Sequence, residues 1–589
     1  GRSDAGAAAE ASAPLVGRAS HLQALRDALA ATARGQAVTM HVHGPSGTGK
    51  SALVRAFLEE VAASEPRPVI LSGRCYERES VPYKALDPVV DSLSRFLIGL
   101  PDDQARVLMP RDLWALARVF PVMQTIADAL HGHNPAATVL DQVELRRRAF
   151  AALRDLLGRL ADRRRVIITI DDLQWADADS AALLEGLLRP PGAPALLLLT
   201  SFRSEEIEHQ PFLRELLAAT DGLARRELPV GPLSEAETRR LVLDLIGDPV
   251  AAQPFVHRII RESAGSPFLA EQLARYVSHE PGVAATGISL AEMLDAQIRP
   301  LPPEARALLD LLAIAAYPIR PALAFAAAGL HGDERPLIKR LRAAKLVRIT
   351  AGSEQLELYH DRIRETLAAR VAVLQRPGIH AALAEALVTA GQADPERLYV
   401  HYHAAGQIPQ AMDAAIAAAT KAAAALAFDQ AAQFYHHALA LAPKAPITAI
   451  DRTRALLEEG LADALANGGR CQPAAAAYQR AAAFHTGSKA LDLNRLAAEQ
   501  LLVSGHVDEG RAVLQGVLAQ VGMKLAPSPR RALLSLIARR LQLKLHGMRY
   551  QLRPEAEVPA ADLLRIDICS VVSRGLSMND NIRAADFQA

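Results

Sequence analysis

The sequence has little cysteine, no excess of either charge and no long apolar run. Its three cysteines, Cys75, Cys471 and Cys569, are far apart in 589 residues and form no Cys-x-x-Cys pair. That spacing suits a reducing cytoplasm, where each reads as a small buried hydrophobe rather than a ligand. The 66 Lys and Arg nearly cancel the 65 Asp and Glu, leaving a net charge of +1. No global field therefore points to nucleic acid or to an acidic membrane. The most apolar region, residues 311–330, is cut by Arg320 and two prolines, short of the ~18 uninterrupted apolar residues of a membrane span. No secretory leader is recognisable, and residues 1–13, small and polar, read as a linker. Neither end looks like a natural terminus, so the sequence reads as a piece of a longer protein.

Half of the residues are hydrophobic and 22% are charged, an ordinary soluble composition. The length exceeds what one core organises, and three or four domains are expected.

The stretch GPSGTGKS, residues 44–51, fits G-x-x-x-x-G-K-[ST]. Gly44, Pro45, Ser46, Gly47, Thr48 and Gly49 form a loop whose glycines let backbone N–H groups curl toward phosphate oxygens. Lys50 supplies a compact charge for the β- and γ-phosphates. Ser51 offers a hydroxyl to Mg²⁺ and opens a helix with its positive end toward the phosphates. The flanks fit: AVTMHVH (37–43) alternates as a strand, and Leu53, Val54, Phe57, Leu58 and Val61 recur at helical spacing. The buried strand VIITI (166–170) then ends in Asp171 and Asp172. A phosphate-bound Mg²⁺ needs a carboxylate at the end of a neighbouring strand. Asp171 is placed for that Mg²⁺ shell, and Asp172 for orienting or activating the attacking water. The distance from Gly44 to Asp171 leaves room for an additional strand between the two motifs. TSFR (200–203) ends the next strand after Asp171 and would point Arg203 toward the γ-phosphate, where it would act as a catalytic sensor beside Lys50 and Asp172. A surface or structural arginine is the alternative for Arg203.

Alternating strands and helices predict a parallel α/β sheet with helices on both faces over residues 14–232. Residues 233–289 read as a helical lid that opens on a capping box at Ser234–Glu237. Residues 290–375 carry three helical patterns and then two short strands around a Gly turn, a winged helix. Residues 376–589 are Ala- and Leu-rich and all helical. There Leu461, Leu465, Gly469, Ala474, Tyr478 and Ala481 match tetratricopeptide spacing, with weaker copies at Ala431, Tyr435 and Ala438 and near Gly406 and Gly505. A non-repetitive bundle is the alternative.

PLVGR (14–18), GPSGTGKS, VIITIDDLQWAD (166–177), LLLLTSFR, GSPF (265–268) and HDRIR (360–364) occur in the order seen in the STAND class of signalling ATPases, relatives of the AAA+ proteins. The chain resembles that class along essentially its whole length. Residues 72–97 and the tail are similar to the ATPase-plus-repeat region behind the catalytic domain of large bacterial serine/threonine protein kinases. The kinase motifs themselves are missing: no Gly-rich loop with V-A-I-K, no H-R-D-x-x-x-x-N and no D-F-G. The resemblance implies ATP or ADP with Mg²⁺, adenine near Val16, Gly17 and Arg18, and Pro267 packed near the nucleotide from the lid. It also implies His360 against the β-phosphate of ADP, although the motif reads YHDRIR here and a buried structural histidine is the alternative.

The expected function is an ATP-binding, slowly hydrolysing regulatory switch in the cytoplasm. Its repeats would sense a protein or small-molecule ligand. An output domain would lie outside the chain, and assembly could depend on nucleotide. A turnover-driven remodelling ATPase, a nucleotide-dependent scaffold and a transcriptional regulator are the other classes. The basic strip Lys339, Arg340, Arg342, Lys345 and Arg348 could face DNA, solvent or the nucleotide domain. Arg530, Arg531, Arg539, Arg540 and Lys544 read as a solvated helix face. The His-rich spots at 131–133, 401–403 and 436–437 lack partner ligands at metal spacing.

Overall fold

The computed structural model describes residues 15–78, 81–131, 141–219, 224–279, 290–350, 354–444, 450–546, 558–577 and 580–588. The expected linker, and part of the 131–133 His spot, lie outside them. The chain divides into two compact units, residues 1–407 and 408–589.

The first unit is built on five parallel strands: β1 (Val38–Gly44), β2 (Val69–Arg74), β3 (Val166–Asp171), β4 (Leu196–Arg203) and β5 (Ala224–Pro229). They lie in the order β2-β3-β4-β1-β5. The additional strand between Gly44 and Asp171 in sequence is β2, at the sheet edge beside β3, while β4, which follows Asp171, sits between the two motif-bearing strands. Its register sets Gly44 of β1 beside Arg203 and Ile170 of β3 beside Thr200. The loop, the acid pair and Arg203 thus reach one edge of the sheet, the carboxyl ends where open α/β sheets bind ligands. β3 and β4 are buried along nearly their whole length, and apolar over Val166–Ile168 and Leu196–Leu199, because a central parallel strand is covered on both faces. On one face Leu25 and Ala28 of α1 (Ala19–Thr32) and Leu53, Val54 and Phe57 of α2 (Lys50–Ala62) close over Met40, Val42, Leu197 and Leu199.

The lid is a three-helix cluster: α3 (Glu235–Ile246), α4 (Pro249–Ser263) and α5 (Pro267–His279). Ser234 caps α3 in the expected capping box with Glu237. After the helix Leu290–Ile298 come α6 (Pro303–Ala315), α7 (Pro321–Ala327) and α8 (Arg335–Ala343). An antiparallel hairpin, β6 (Val347–Ile349) and β7 (Leu356–Leu358), completes the winged-helix arrangement, and α9 (Asp361–Arg370) leaves it. α10 (Arg376–Thr389) packs on α6 and α7, and α11 (Pro395–Ala404) packs on α10.

The second unit is helical hairpins stacked on their sequence neighbours: Ile408–Ala424 with Phe428–Leu441, Ile450–Asn467 with Cys471–Ala482, and Gly487–Val503 with Val507–Gln520. Such neighbour stacking is the signature of a repeat array, and beyond it Ala560–Leu576 folds back onto Gly487–Val503. The motif residues Leu461, Ala474, Tyr478 and Ala481 are buried. At Gly460 an added Cβ would stand 2.5 Å from the Tyr435 ring, so this glycine is what lets two helices close. Among the described residues no helix is long and apolar enough to cross a membrane.

Candidate functional site

Strand β1 delivers the loop, and the loop doubles back before α2 begins at Lys50. Gly44 is at φ +155°, and a Cβ there would stand 2.2 Å from the Val230 carbonyl oxygen. Only glycine fits so close to the chain leaving β5. Lys50 is buried, and its Nζ donates to the Gly44 and Pro45 carbonyls at 2.7 and 2.9 Å. Burial lowers its pKa, with Asp172, Glu205 and Asp171 pulling the other way.

The acid pair is divided by its hydrogen bonds. Asp171 accepts from the Ser51 hydroxyl at 2.9 and 3.1 Å on its two oxygens, and from the Ser201 hydroxyl. Ser51 and Asp171 therefore form the oxygen donor set that Mg²⁺ prefers. Among the described residues no group of three or more His, Cys, Asp or Glu side chains gathers around a metal-sized point, so Mg²⁺ here would be held largely through phosphate and water. Asp172 takes a left-handed backbone, φ 57° and ψ 44°. Its N–H donates to Ser201 Oγ at 3.2 Å. Its Oδ2 accepts from Arg74 at 3.0 Å and its Oδ1 from Gln174 at 3.0 Å. Both carboxylate oxygens thus carry donors from the sheet side. Burial, then the neighbouring Asp171, pushes the Asp172 carboxyl up to about 6.

Arg203 ends β4 beside the loop, as its register requires. Its guanidinium, however, turns to α9: Nη2 donates to Asp361 at 2.8 Å and Nη1 to Glu365 at 2.7 Å. Arg74, at the end of β2, lies 3.7 Å from Asp361 and from Glu357 as well as bonding Asp172. Burial alone would raise the Asp361 carboxyl, but Arg74 and Arg203 hold it down at about 2. Arg364 of α9 pairs with Glu77. α9 is thus tied to the acid pair through Arg74.

The lid grips the loop from the other side. The Gly47 carbonyl accepts from Ser266 Oγ at 3.1 Å and from the Phe268 N–H at 3.4 Å. The Pro267 ring stands 3.8 Å from where a Gly49 Cβ would be. His360 stacks on Phe268 with ring centroids 3.8 Å apart, and its Nδ1 caps α9 by accepting from the Arg362 N–H. Burial pushes its imidazole down to about 3, so the ring is neutral. His360, half-buried, thus joins the lid to the start of α9.

Arg18 is buried and donates to the carbonyls of Thr48 and Gly231, at 3.1 and 2.6 Å. It ties the loop to the chain entering the lid. Val16 packs on the lid core, and Gly17 sits at φ +70° against Glu237. Of the basic strip, Arg348 bonds Glu357 and Lys345 lies near Glu271 and over Tyr359, so part of it serves contacts within the first unit.

Sequence reasoning brought together the loop, Asp171, Asp172, Arg203, Pro267 and His360 but missed Arg74, Ser201, Gln174, Asp361 and Glu365. Ser201 and Asp361 lay inside the quoted motifs TSFR and HDRIR. Arg74 gave only the signal of a basic residue at a strand end.

Residues 14–199 match the family model described as the AAA ATPase domain. No curated protein matches the chain. Among solved structures, the chain is similar to a signal transduction ATPase with numerous domains, with a tetratricopeptide repeat sensor, from Pyrococcus horikoshii. That match has 13% identity over 97% of this chain and 83% of that one, with a TM-score of 0.42. A Walker-type ATPase of Pyrococcus abyssi matches at 15% identity over 60% of this chain and 96% of that one, with a TM-score of 0.28. The ORC2 protein of Aeropyrum pernix, in ADPNP-ADP complexes, matches at 16% identity over 64% and 97%, with a TM-score of 0.27.

Proposed function

We propose that the chain is an ATP-binding regulatory switch with slow hydrolysis, whose inactive state is held by α9. The observation that carries this reading is the ionic chain from Asp172 through Arg74 to Asp361 and on to Arg203. A turnover enzyme gains nothing from tying its water-activating acid and its γ-phosphate sensor to another segment. A switch does, because closure then stops hydrolysis and opening permits it.

The site's residues fit a nucleotide with Mg²⁺. Backbone N–H groups of Ser46 to Ser51 would take the phosphates, and Ser51 with Asp171 would face the cation. Mg²⁺, when bound, neutralises charge on the phosphates. Lys50 would exchange its two carbonyl partners for phosphate oxygen. Asp172, released from Arg74, would accept a proton from the attacking water. Arg203, released from Asp361 and Glu365, would steady the terminal phosphate. The state with ATP differs from the state with ADP only if Arg203 is shared between phosphate and α9, which gives the differential affinity a switch needs.

On this reading residues 14–232 are the nucleotide domain, 233–289 the lid, 290–375 the winged helix and 376–589 the sensor array. Val16, Gly17 and Arg18 border the adenine, and Pro267 borders the phosphates. The array would bind a protein or small-molecule ligand, and assembly would follow the nucleotide state. The output domain, for which a serine/threonine kinase on the N-terminal side is the proposal, would act in a bacterial cytoplasm.

The test is ATP and ADP binding and turnover on this chain beside Lys50→Ala and Asp172→Ala. Tight binding with turnover well under ~1 s⁻¹, binding lost in the first variant and ATP retained unhydrolysed in the second, is the expected result. Fast basal turnover, or no binding by the wild type, would sink the switch.

A further inference from the structure

Glu205 stands at the loop's mouth, and neither the motif set nor the ionic chain uses it. It lies in a single 3₁₀ turn, Ser204–Glu206, two residues beyond Arg203. The turn is fixed to the end of β1, because Ser204 Oγ lies 3.2 Å from His43 Nδ1. From there one Glu205 oxygen accepts the Ser46 N–H at 3.2 Å. Ser46 belongs to the loop whose N–H groups serve phosphate.

The charge around this point is already negative. Asp171, Asp172 and Glu205 all act on the Lys50 ammonium, and Glu205 acts on it more strongly than Asp171 does. The two nearby guanidiniums, Arg74 and Arg203, are committed to the carboxylates of α9 and β7. A terminal phosphate entering here meets a carboxylate at the N–H it would need. A diphosphate, one phosphate shorter and less charged, meets less of that repulsion.

We infer that Glu205 is a specificity-determining residue, an intramolecular competitor for the terminal phosphate that biases the site toward the diphosphate. This deepens the nucleotide-switch reading and rests on it. Glu205 is exposed, so it can swing aside and its effect is screened by salt. The bias is therefore a modest, adjustable weight on the ATP-to-ADP balance and not a block.

The experiment is titration of the chain with Mg-ATP and Mg-ADP, for wild type, Glu205→Gln, Glu205→Lys and the control Glu208→Gln, at about 50 mM and about 500 mM salt. Glu208 is exposed on the same connection and removes the same charge away from the loop. In Glu205→Gln the ratio Kd(ATP)/Kd(ADP) is expected to fall roughly three- to tenfold at low salt. It should fall further in Glu205→Lys, stay near wild type in Glu208→Gln, and shrink in effect at high salt. An unmoved ratio with both nucleotides still bound overturns this inference and leaves the switch intact. Weakened ATP binding in Glu205→Gln also overturns it, since Glu205 would then be helping to hold metal or water. A wild type that binds neither nucleotide removes the switch reading itself.

Discussion

Arg203 and Asp361 are 158 positions apart in sequence, yet their guanidinium and carboxylate meet at 2.8 Å at the carboxyl edge of the sheet. The pair is the point where the state of the nucleotide site can be felt by α9. Asp361→Asn leaves Arg203 its bond to Glu365, so the fold survives at a cost of about 1–3 kcal/mol. The expected consequence is faster release of ADP, by roughly tenfold, with Arg203→Ala similar and the double variant no faster than either. Such non-additivity is the mark of residues acting through one contact. Stopped-flow release of a fluorescent ADP measures it, and additive rates would refute the latch.

Gly44→Ala tests the loop's backbone and not its chemistry. The added Cβ has a rigid carbonyl, Val230 O, at 2.2 Å, and backbone oxygen has nowhere to go. Gly49→Ala meets only the Pro267 ring at 3.8 Å, although its φ of +90° is also strained. Gly44→Ala is therefore expected to cost more than about 3 kcal/mol and to abolish nucleotide binding, with Gly49→Ala milder in stability. Thermal melts of the two variants side by side check the order.

The loop and the acid pair were legible because each is local: a strand, a few residues and a helix carry the whole signal. The strand ending in TSFR was legible as an apolar run, LLLL, and Asp171 beside Ser51 followed from the two motifs together. The pairing of Arg203 with Asp361 was not legible, because nothing in TSFR or HDRIR says that one folds onto the other. For the same reason Asp172 read as a free acid. Its partner Arg74 lies 98 positions earlier at the end of β2, and a lone arginine after a strand has no periodicity to betray its role. His360 shows the limit of resemblance. Its stacking on Phe268 depends on the lid's approach, which the motif does not encode.

Ser201 holds both acids with one hydroxyl, accepting from the Asp172 N–H and donating to Asp171. Ser201→Ala leaves that buried N–H without its partner and frees Asp171 to turn. A stability loss of about 1–2 kcal/mol is expected, together with a several-fold weaker dependence of ATP binding on Mg²⁺. ADP binding without Mg²⁺ should be unchanged. If Mg²⁺ dependence stays at wild-type strength, Ser201 is only a packing residue.

Acid should weaken the first unit through its buried histidines. His41 is buried with Nδ1 2.7 Å from Thr200 Oγ1, and His401 is buried between Tyr317 and His380. Burial, then Arg225 for His41 and His380 for His401, pushes each imidazole down to about 3. The unfolded chain protonates its histidines near pH 6.5 while the folded one does not. Stability is therefore full above about 6.5 and is lost as pH falls toward 3, by at most about 2 kcal/mol per histidine at pH 5. Asp172 acts with the opposite sign. Its folded carboxyl takes a proton at about 6, above the unfolded value, so it adds stability as pH falls through that window and offsets part of the loss. Calorimetric melts from pH 8 to 5 should show a level Tm that declines below about 6.5. In His41→Leu the curve should start lower, for want of the bond to Thr200, but decline less steeply, with about one proton fewer taken up on unfolding. An equally steep decline would mean that His41 is already protonated in the fold.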